Sequence, residues 1–351
     1  MVRKLREAPE IYDVKVCVTA QHRAMLDQVL SLFDVVPDID LNLMQPGQTL
    51  SQSSSRMIGA LEPVMQELRP DVAIVQGDTT TTFCGALAAF YARVPVAHVE
   101  AGLRTWDIGQ PFPEEMNRVL TGRLATHHFA ATAWAAGNLA QEGVPAAKIH
   151  VTGNTGIDAV LHVRDRLAAG EVVSQRDWSF LNPAKKLIVV TAHRRESFGP
   201  GFERICRGLV EIAARPDVEI VYPVHPNPNV QEPVKRLLSG HPSIHLVEPL
   251  DYIPFVDLMC RAYLLITDSG GVQEEGPSLG KPILVLRDKT ERPEAVEAGT
   301  VKLVGTDENR IVSEARLLLE NADFHLAMTR VHNPYGDGRA SERIFDLIRS
   351  F

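Results

Sequence analysis

Short apolar runs of strand type alternate along this chain with stretches whose apolar residues recur at helical spacing. VKVCVTA (14–20) is the first such run, and Met25, Leu26, Val29, Leu30 and Phe33 then fall on one helical face. A loop with Pro46 and Gly47 precedes an expected helix over about 49–68. DVAIVQGD (71–78) reads as a strand, FCGALAAFYARV as a crossover helix, and PVAHVEAG, HHFAAT and IHVTGNT as three further strands. Strands separated by helices imply βαβ units and a parallel sheet.

Residues 165–185 are polar and irregular and are expected to connect two domains, because the alternation restarts behind them. Strands are expected at 187–192 and in EIVYPVH, IHLVEP, LLITDS, PILVLR and VKLVG, with helices at 202–214, 231–238, 254–262 and after the glycines of TDSGG. VHNPYGDGRA breaks the pattern, and SERIFDLIRSF closes the chain as an amphipathic helix. The expected fold class is α/β, with two Rossmann-like doubly wound domains and an interdomain cleft. The expected boundaries are 1–160, onto which the C-terminal helix 340–351 packs back, and 161–339. Neither half contains GxGxxG, so the dinucleotide fingerprint is absent.

A chain of 351 residues is long for one core and comfortable for two. Its net charge of -8 gives no global attraction for nucleic acid or an anionic membrane. Cys17, Cys84, Cys206 and Cys260 are scattered with no CxxC pair, which suits buried thiols in a reducing compartment. No apolar run has the length of a membrane span, and MVRKLREAPE lacks the apolar core of a signal peptide. A cytoplasmic protein is the expectation.

Chemistry concentrates at strand ends, where open parallel sheets place their ligands. Asp78 follows Gly77 at one end and Glu100 precedes Ala101 and Gly102 at the next, with Glu114 and Glu115 opening a helix soon after. Asp78 could simply cap the following helix. Glu100 is harder to assign a structural role, since a carboxylate ending a buried strand is costly unless paired, and Arg104 and Arg118 are possible partners. In TDSGGVQEE, Ser269 and Gly270 would offer bare N–H groups at a helix N-terminus to a phosphate, or simply form a tight turn. Glu275 could accept from a ribose diol. His193, Arg194 and Arg195 end another strand and suit an anion. His225, in a proline-rich loop, reads as structural or as lining the cleft. Arg292 is a phosphate arm or part of a helix start. His127 and His128 lack the spaced partners of a metal site. CxxC, HExxH, GxSxG and P-loop patterns are all missing.

GDTTTT, HVEAGLRT, PEEMNR, VTGNTGIDA, TAHRRESFG, YPVHPNPNV, TDSGGVQEE, GKPILVLRDKTERPE and HNPYGDG occur in that order. This set resembles the non-hydrolysing bacterial UDP-N-acetylglucosamine 2-epimerases, over essentially the whole chain from about residue 14. The resemblance implies a GT-B-like fold whose C-terminal domain binds UDP, and a homodimer in the cytoplasm feeding ManNAc-containing polysaccharides. It implies interconversion of UDP-GlcNAc and UDP-ManNAc by elimination and re-addition of UDP through 2-acetamidoglucal, with neither metal nor NAD as cofactor. On its motifs, Asp78, Glu100 and Glu114 would be acid/base groups, Arg118 would orient them, and His193 would contact the diphosphate. Ser269 and Gly270 would bind phosphate, Glu275 the ribose, Arg292 the uracil side or the phosphates, and Phe255 would pack near the uracil. A second UDP-GlcNAc as activator is expected near Gln21 and His22, where Ala24 departs from the family pattern.

The family usually opens with a central strand and a GTRPE-type loop, whereas MVRKLREAPE resembles the middle of its first helix. A truncated reading frame is therefore expected. A hydrolysing epimerase that releases ManNAc, a GT-B glycosyltransferase and a non-catalytic sugar-nucleotide binder are the alternatives.

Overall fold

The computed structural model describes residues 1–20, 23–45, 47–330 and 333–351, and for residues 24 and 25 the backbone alone. The chain divides into two compact units, one of Met1–Asp158 with Tyr335–Phe351 and one of Ala159–Pro334.

In the first unit, β1 (Cys17–Val18) and β2 (Ile39–Asp40) pair in parallel as a two-stranded sheet. β3 (Ala73–Gln76), β4 (Val96–Ala101), β5 (His127–Ala130) and β6 (Ile149–Val151) form a four-stranded parallel sheet in chain order. In the run 14–20 only Cys17–Val18 forms a strand, and Ala20 is left-handed at φ +58°. Part of the run's bonding goes to a side chain: the Val16 N–H donates to Asp38 Oδ2 at 2.7 Å. Helix Leu50–Leu68 starts with a reciprocal Thr49–Gln52 capping box, which satisfies two otherwise orphaned N–H groups. Ala97, Val99 and Phe129 of the sheet share a buried cluster with Leu5, Ile344 and Ile348, so the C-terminal helix Ala340–Ile348 packs into this unit. Asp158 holds that helix by its first turn, its carboxylate accepting from Ala340 N at 3.0 Å and Ser341 N at 2.6 Å.

In the second unit, β7 (Lys186–Thr191), β8 (Val218–Pro223), β9 (Ile244–Val247), β10 (Leu264–Thr267), β11 (Ile283–Val285) and β12 (Val301–Leu303) lie in the order β12-β11-β10-β7-β8-β9, all parallel. The winding reverses between β7 and β10, and ligands in open α/β sheets bind outside the carboxyl ends at such a switch point. Ile188, Val190, Ile220 and Ile266 of the sheet pack with Phe202, Ile205 and Leu209 of helix Pro200–Ala213. Between VKLVG and VHNPYGDGRA no helix is expected from the sequence, yet two lie there, Glu308–Glu320 and Ala322–Thr329. The first is capped by Asp307, which accepts from Arg310 N at 2.8 Å, and it buries Ile311, Ala315 and Leu318 in the core. Helix Thr155–Ala168 reaches into the stretch read as connection. No described helix is long and apolar enough to cross a membrane.

Candidate active-site and nucleotide-binding residues

In the first unit, β3 and β4 run side by side with Gln76 opposite Val99, so the residues after Gln76 and the end of β4 emerge as neighbours. Gly77 turns the chain at φ +75°, and its N–H still reaches Val99 O at 3.0 Å. The cap of helix Thr80–Tyr91 is Thr79, whose hydroxyl accepts from Thr82 N. Asp78 is therefore not the cap, because a residue one step nearer the helix does that work. Its carboxylate takes Arg118 Nη2 at 2.7 Å instead, and its carbonyl takes Asn117 Nδ2 at 2.9 Å.

Glu100 sits at a bulge in the pairing of β4 with β5, with a left-handed φ of +63°. Such a backbone costs a non-glycine residue about 1–3 kcal/mol and persists where the surroundings over-determine it, as they do at functional sites. Its Oε2 lies 3.8 Å from the position a Cβ would take on Gly77, which places this carboxyl beside the β3 turn. Glu114 is half-buried in the first turn of helix Glu114–Leu124, on the same face as Arg118 four residues on. Glu115 is almost wholly buried. Its Oε1 accepts from Thr105 N at 3.0 Å and Trp106 N at 3.2 Å, and its Oε2 lies 3.3 Å from Arg118 Nη1. Arg118 thus bridges Asp78 and Glu115. Arg104 directs Nε and Nη2 to Glu142 at 2.6 and 2.9 Å.

His98 lies 2.8 Å through Nε2 from Gly77 O. Burial drives its pKa down to about 4, and Arg104 and Arg118 push the same way against that hydrogen bond. The ring is neutral near pH 7, so Nε2–H donates to the Gly77 carbonyl and pins the turn carrying Asp78.

In the second unit the two sides of the switch point meet at Asp268. This residue follows β10 and is fully buried, and its Oδ2 accepts from His193 N and Arg194 N, both at 2.7 Å. The His193 ring directs Nδ1 to Asp268 Oδ1 at 3.4 Å and stacks on His225 at 5.2 Å between centroids. Helix Gly270–Ser278 starts directly behind, with Ser269 in the cap position and its hydroxyl not used for capping. A Cβ on Gly270 would fall 2.6 Å from Arg292 Nη1, so glycine is what lets the guanidinium lie on the helix start. That guanidinium is held by Glu274 through Nε and by Glu291 through Nη1. Burial disfavours charge on Glu291, but Arg292 and Arg287 overcome it and hold the carboxyl at about 2.

Glu275 is half-buried and accepts from Tyr252 OH at 3.4 Å. Burial, and then the charge of Glu274, push its pKa up to about 8 despite the tyrosine. Phe255 lies half-buried one turn beyond Tyr252 on helix Tyr252–Arg261. Asp78 and Arg118 are therefore in contact, with Glu100 beside the adjoining turn. Ser269, Gly270 and Arg292 cluster at one helix start, where His193 is tied to the preceding Asp268. Gln21 and His22 lie outside the described residues. Sequence reasoning passed over Asp268, Tyr252 and the role of Glu115; Asp268, an acid closing a buried strand, carried the same signal as Asp78. Among the described residues no group of three or more His, Cys, Asp or Glu side chains is arranged to hold a metal ion.

Residues 3–349 match the sequence model of the family described as UDP-N-acetylglucosamine 2-epimerase. The chain is 55% identical over 355 residues to the UDP-N-acetylglucosamine 2-epimerase of Salmonella typhimurium, covering 100% of this chain and 94% of that protein. Among solved structures, the UDP-GlcNAc 2-epimerase from Neisseria meningitidis bound to UDP-GlcNAc is similar at a TM-score of 0.93 and 45% identity, covering 100% of this chain and 96% of that one. The Methanocaldococcus jannaschii enzyme in complex with UDP-GlcNAc and UDP is similar at 0.80 and 32% identity, covering 99% and 95%.

Proposed function

The chain belongs to the UDP-N-acetylglucosamine 2-epimerase family of isomerases, and from that premise we propose that it interconverts UDP-GlcNAc and UDP-ManNAc by eliminating UDP and adding it back. A base takes the C2 proton as the C1–O bond breaks and UDP departs, leaving 2-acetamidoglucal. A proton then reaches C2 from the opposite face and UDP returns to C1. Acid/base groups on both faces and a charged grip on the departing diphosphate are needed.

The ion pair of Arg118 with Asp78, beside the strained Glu100, is the observation that carries this reading. Arg118 orients Asp78. Asp78, Glu100 and Glu114 form the acid/base set. In the second unit, the N–H groups of helix Gly270–Ser278 with Ser269 and Gly270 bind phosphate, and His193 donates to the diphosphate. Glu275 takes the ribose hydroxyls, and its raised pKa lets the carboxyl both donate and accept near neutrality. Phe255 packs by the uracil. Arg292 is already neutralised by Glu274 and Glu291, so it shapes the helix start more than it supplies free charge. A cytoplasmic homodimer that supplies ManNAc units for surface polysaccharide, with a second UDP-GlcNAc as activator, completes the family reading.

Incubation with UDP-GlcNAc in D₂O tests it by proton NMR. The expected result is deuterium at C2 in both UDP-sugars with UDP-ManNAc accumulating. Free ManNAc as the main product would mean hydrolysis, and an unexchanged C2–H would end the proposal.

A further inference from the structure

Asp268 is the most enclosed acid in the second unit's site, at 0% exposure. Its two oxygens do different work. Oδ2 accepts from two successive backbone N–H groups, His193 and Arg194, and so fastens the end of β7 to the end of β10. Among the described residues Oδ1 has no hydrogen-bond partner within the ordinary limit, and it faces His193 Nδ1 at 3.4 Å. A buried carboxylate oxygen without a donor is costly, and the imidazole N–H is the donor placed to relieve it. The other ring nitrogen of His193 points away from Asp268. His225 closes one face of the ring, stacked at an interplanar angle of 13°. His225 Nδ1 accepts from Asn227 N at 3.1 Å, so that nitrogen carries no proton for the carboxylate. The His193 ring is therefore restrained by a stacking wall and by one acceptor.

We propose that Asp268 is a positioning residue that holds His193 in the Nδ1–H form and so turns Nε2 outward as the nitrogen that meets the ligand. This rests on the reading of His193 as the diphosphate contact and deepens it. A proton taken up from solvent at Nε2 then makes the donor that the diphosphate accepts, while the Nδ1–H stays on Asp268. The arrangement resembles in logic the carboxylate that orients a general-acid histidine, where replacing the acid by its amide leaves the geometry intact but selects the wrong tautomer. Asp268→Asn would do the same here. Its amide oxygen can keep the two backbone N–H groups, and its NH₂ then faces Nδ1 and drives the proton to Nε2.

Nitrogen-15 imidazole NMR of the full chain at alkaline pH, with His193 assigned by comparison with His193→Gln, reads the tautomer directly. Wild-type protein is expected in the Nδ1–H form; the Nε2–H form would overturn the proposal without any variant needing to fold. Asp268→Asn is expected to invert the tautomer and to lower kcat by about 10²-fold or more, with KM changed far less. Wild-type kcat in a folded Asp268→Asn protein would also overturn it. UDP titration of His193→Gln separates the two ideas: unchanged UDP affinity removes the diphosphate contact, while the tautomer measurement still decides the part played by Asp268.

Discussion

Arg118 Nη2 and Asp78 Oδ2 lie 2.7 Å apart, while Nη1 of the same guanidinium lies 3.3 Å from the buried Glu115. One planar fork thus serves two acids in different environments. The Glu115 side ties the pair to the 105–106 backbone, and the Asp78 side is about 31% exposed and faces the turn that follows β3. A lysine offers a single point charge in place of the fork. Arg118→Lys is expected to lower kcat for C2 inversion about 10- to 100-fold through misplacement of Asp78. Steady-state kinetics would show this, and a wild-type rate would remove Arg118 from the orienting role.

Glu100→Gln keeps the shape of the side chain and removes its proton chemistry. Turnover is expected to fall about 10²- to 10⁴-fold, the range for loss of a general acid or base. UDP affinity by calorimetry should stay within about threefold of wild type, since binding groups elsewhere are untouched. Unchanged turnover would take Glu100 out of the acid/base set.

Gly270→Ala puts a methyl group where the Arg292 guanidinium lies, 2.6 Å from Nη1. Arg292 cannot simply swing aside, because Glu274 and Glu291 hold it and both acids would lose a charged partner. The expected outcome is UDP binding weakened by about tenfold or more together with a lower melting temperature, since buried charges left unpaired are destabilising. Unaltered UDP affinity in a folded variant would show that this helix start does not carry the phosphate.

Glu275 makes stability depend on pH. Its folded pKa of about 8 lies above the ordinary value of 4.5, so between those values the folded state holds a proton that the unfolded chain has released. Stability from this group is full below the lower value and declines as pH rises through the upper one. Glu275→Gln abolishes the proton exchange. Relative to wild type, its melting temperature without ligand should rise progressively from pH 5 to pH 8.5, and a constant difference would contradict the raised pKa.

The alternation of strand and helix, the Thr49 start of helix Leu50–Leu68 and the strand-end acids were all legible, because each rests on a local pattern. What escaped was non-local or hidden by a better local competitor. Asp78 and Thr79 both precede the helix and either could cap it; the chain uses Thr79, and this frees Asp78 to reach an arginine forty residues away. Arg104 finds Glu142 across 38 residues, a pairing no spacing rule predicts. Asp268 reads as one more polar residue before a glycine turn until β10 is placed beside β7, where the fold brings His193 to it. Helix Glu308–Glu320 was legible in principle, since Asp307 is an ordinary cap and its buried Ile311, Ala315 and Leu318 recur at helical spacing.

The first unit is built from residues made early and residues made late. Ile344 and Ile348 complete a cluster with Leu5, Ala97 and Val99, and Asp158 waits for the N–H groups of Ala340 and Ser341. A ribosome must therefore translate through Ile348 before this unit can close its core, whereas the intervening unit has every strand it needs beforehand. Order of synthesis and order of completion are reversed, and a nascent chain that has released the intervening unit but not helix Ala340–Ile348 would carry a complete second unit beside an incomplete first one.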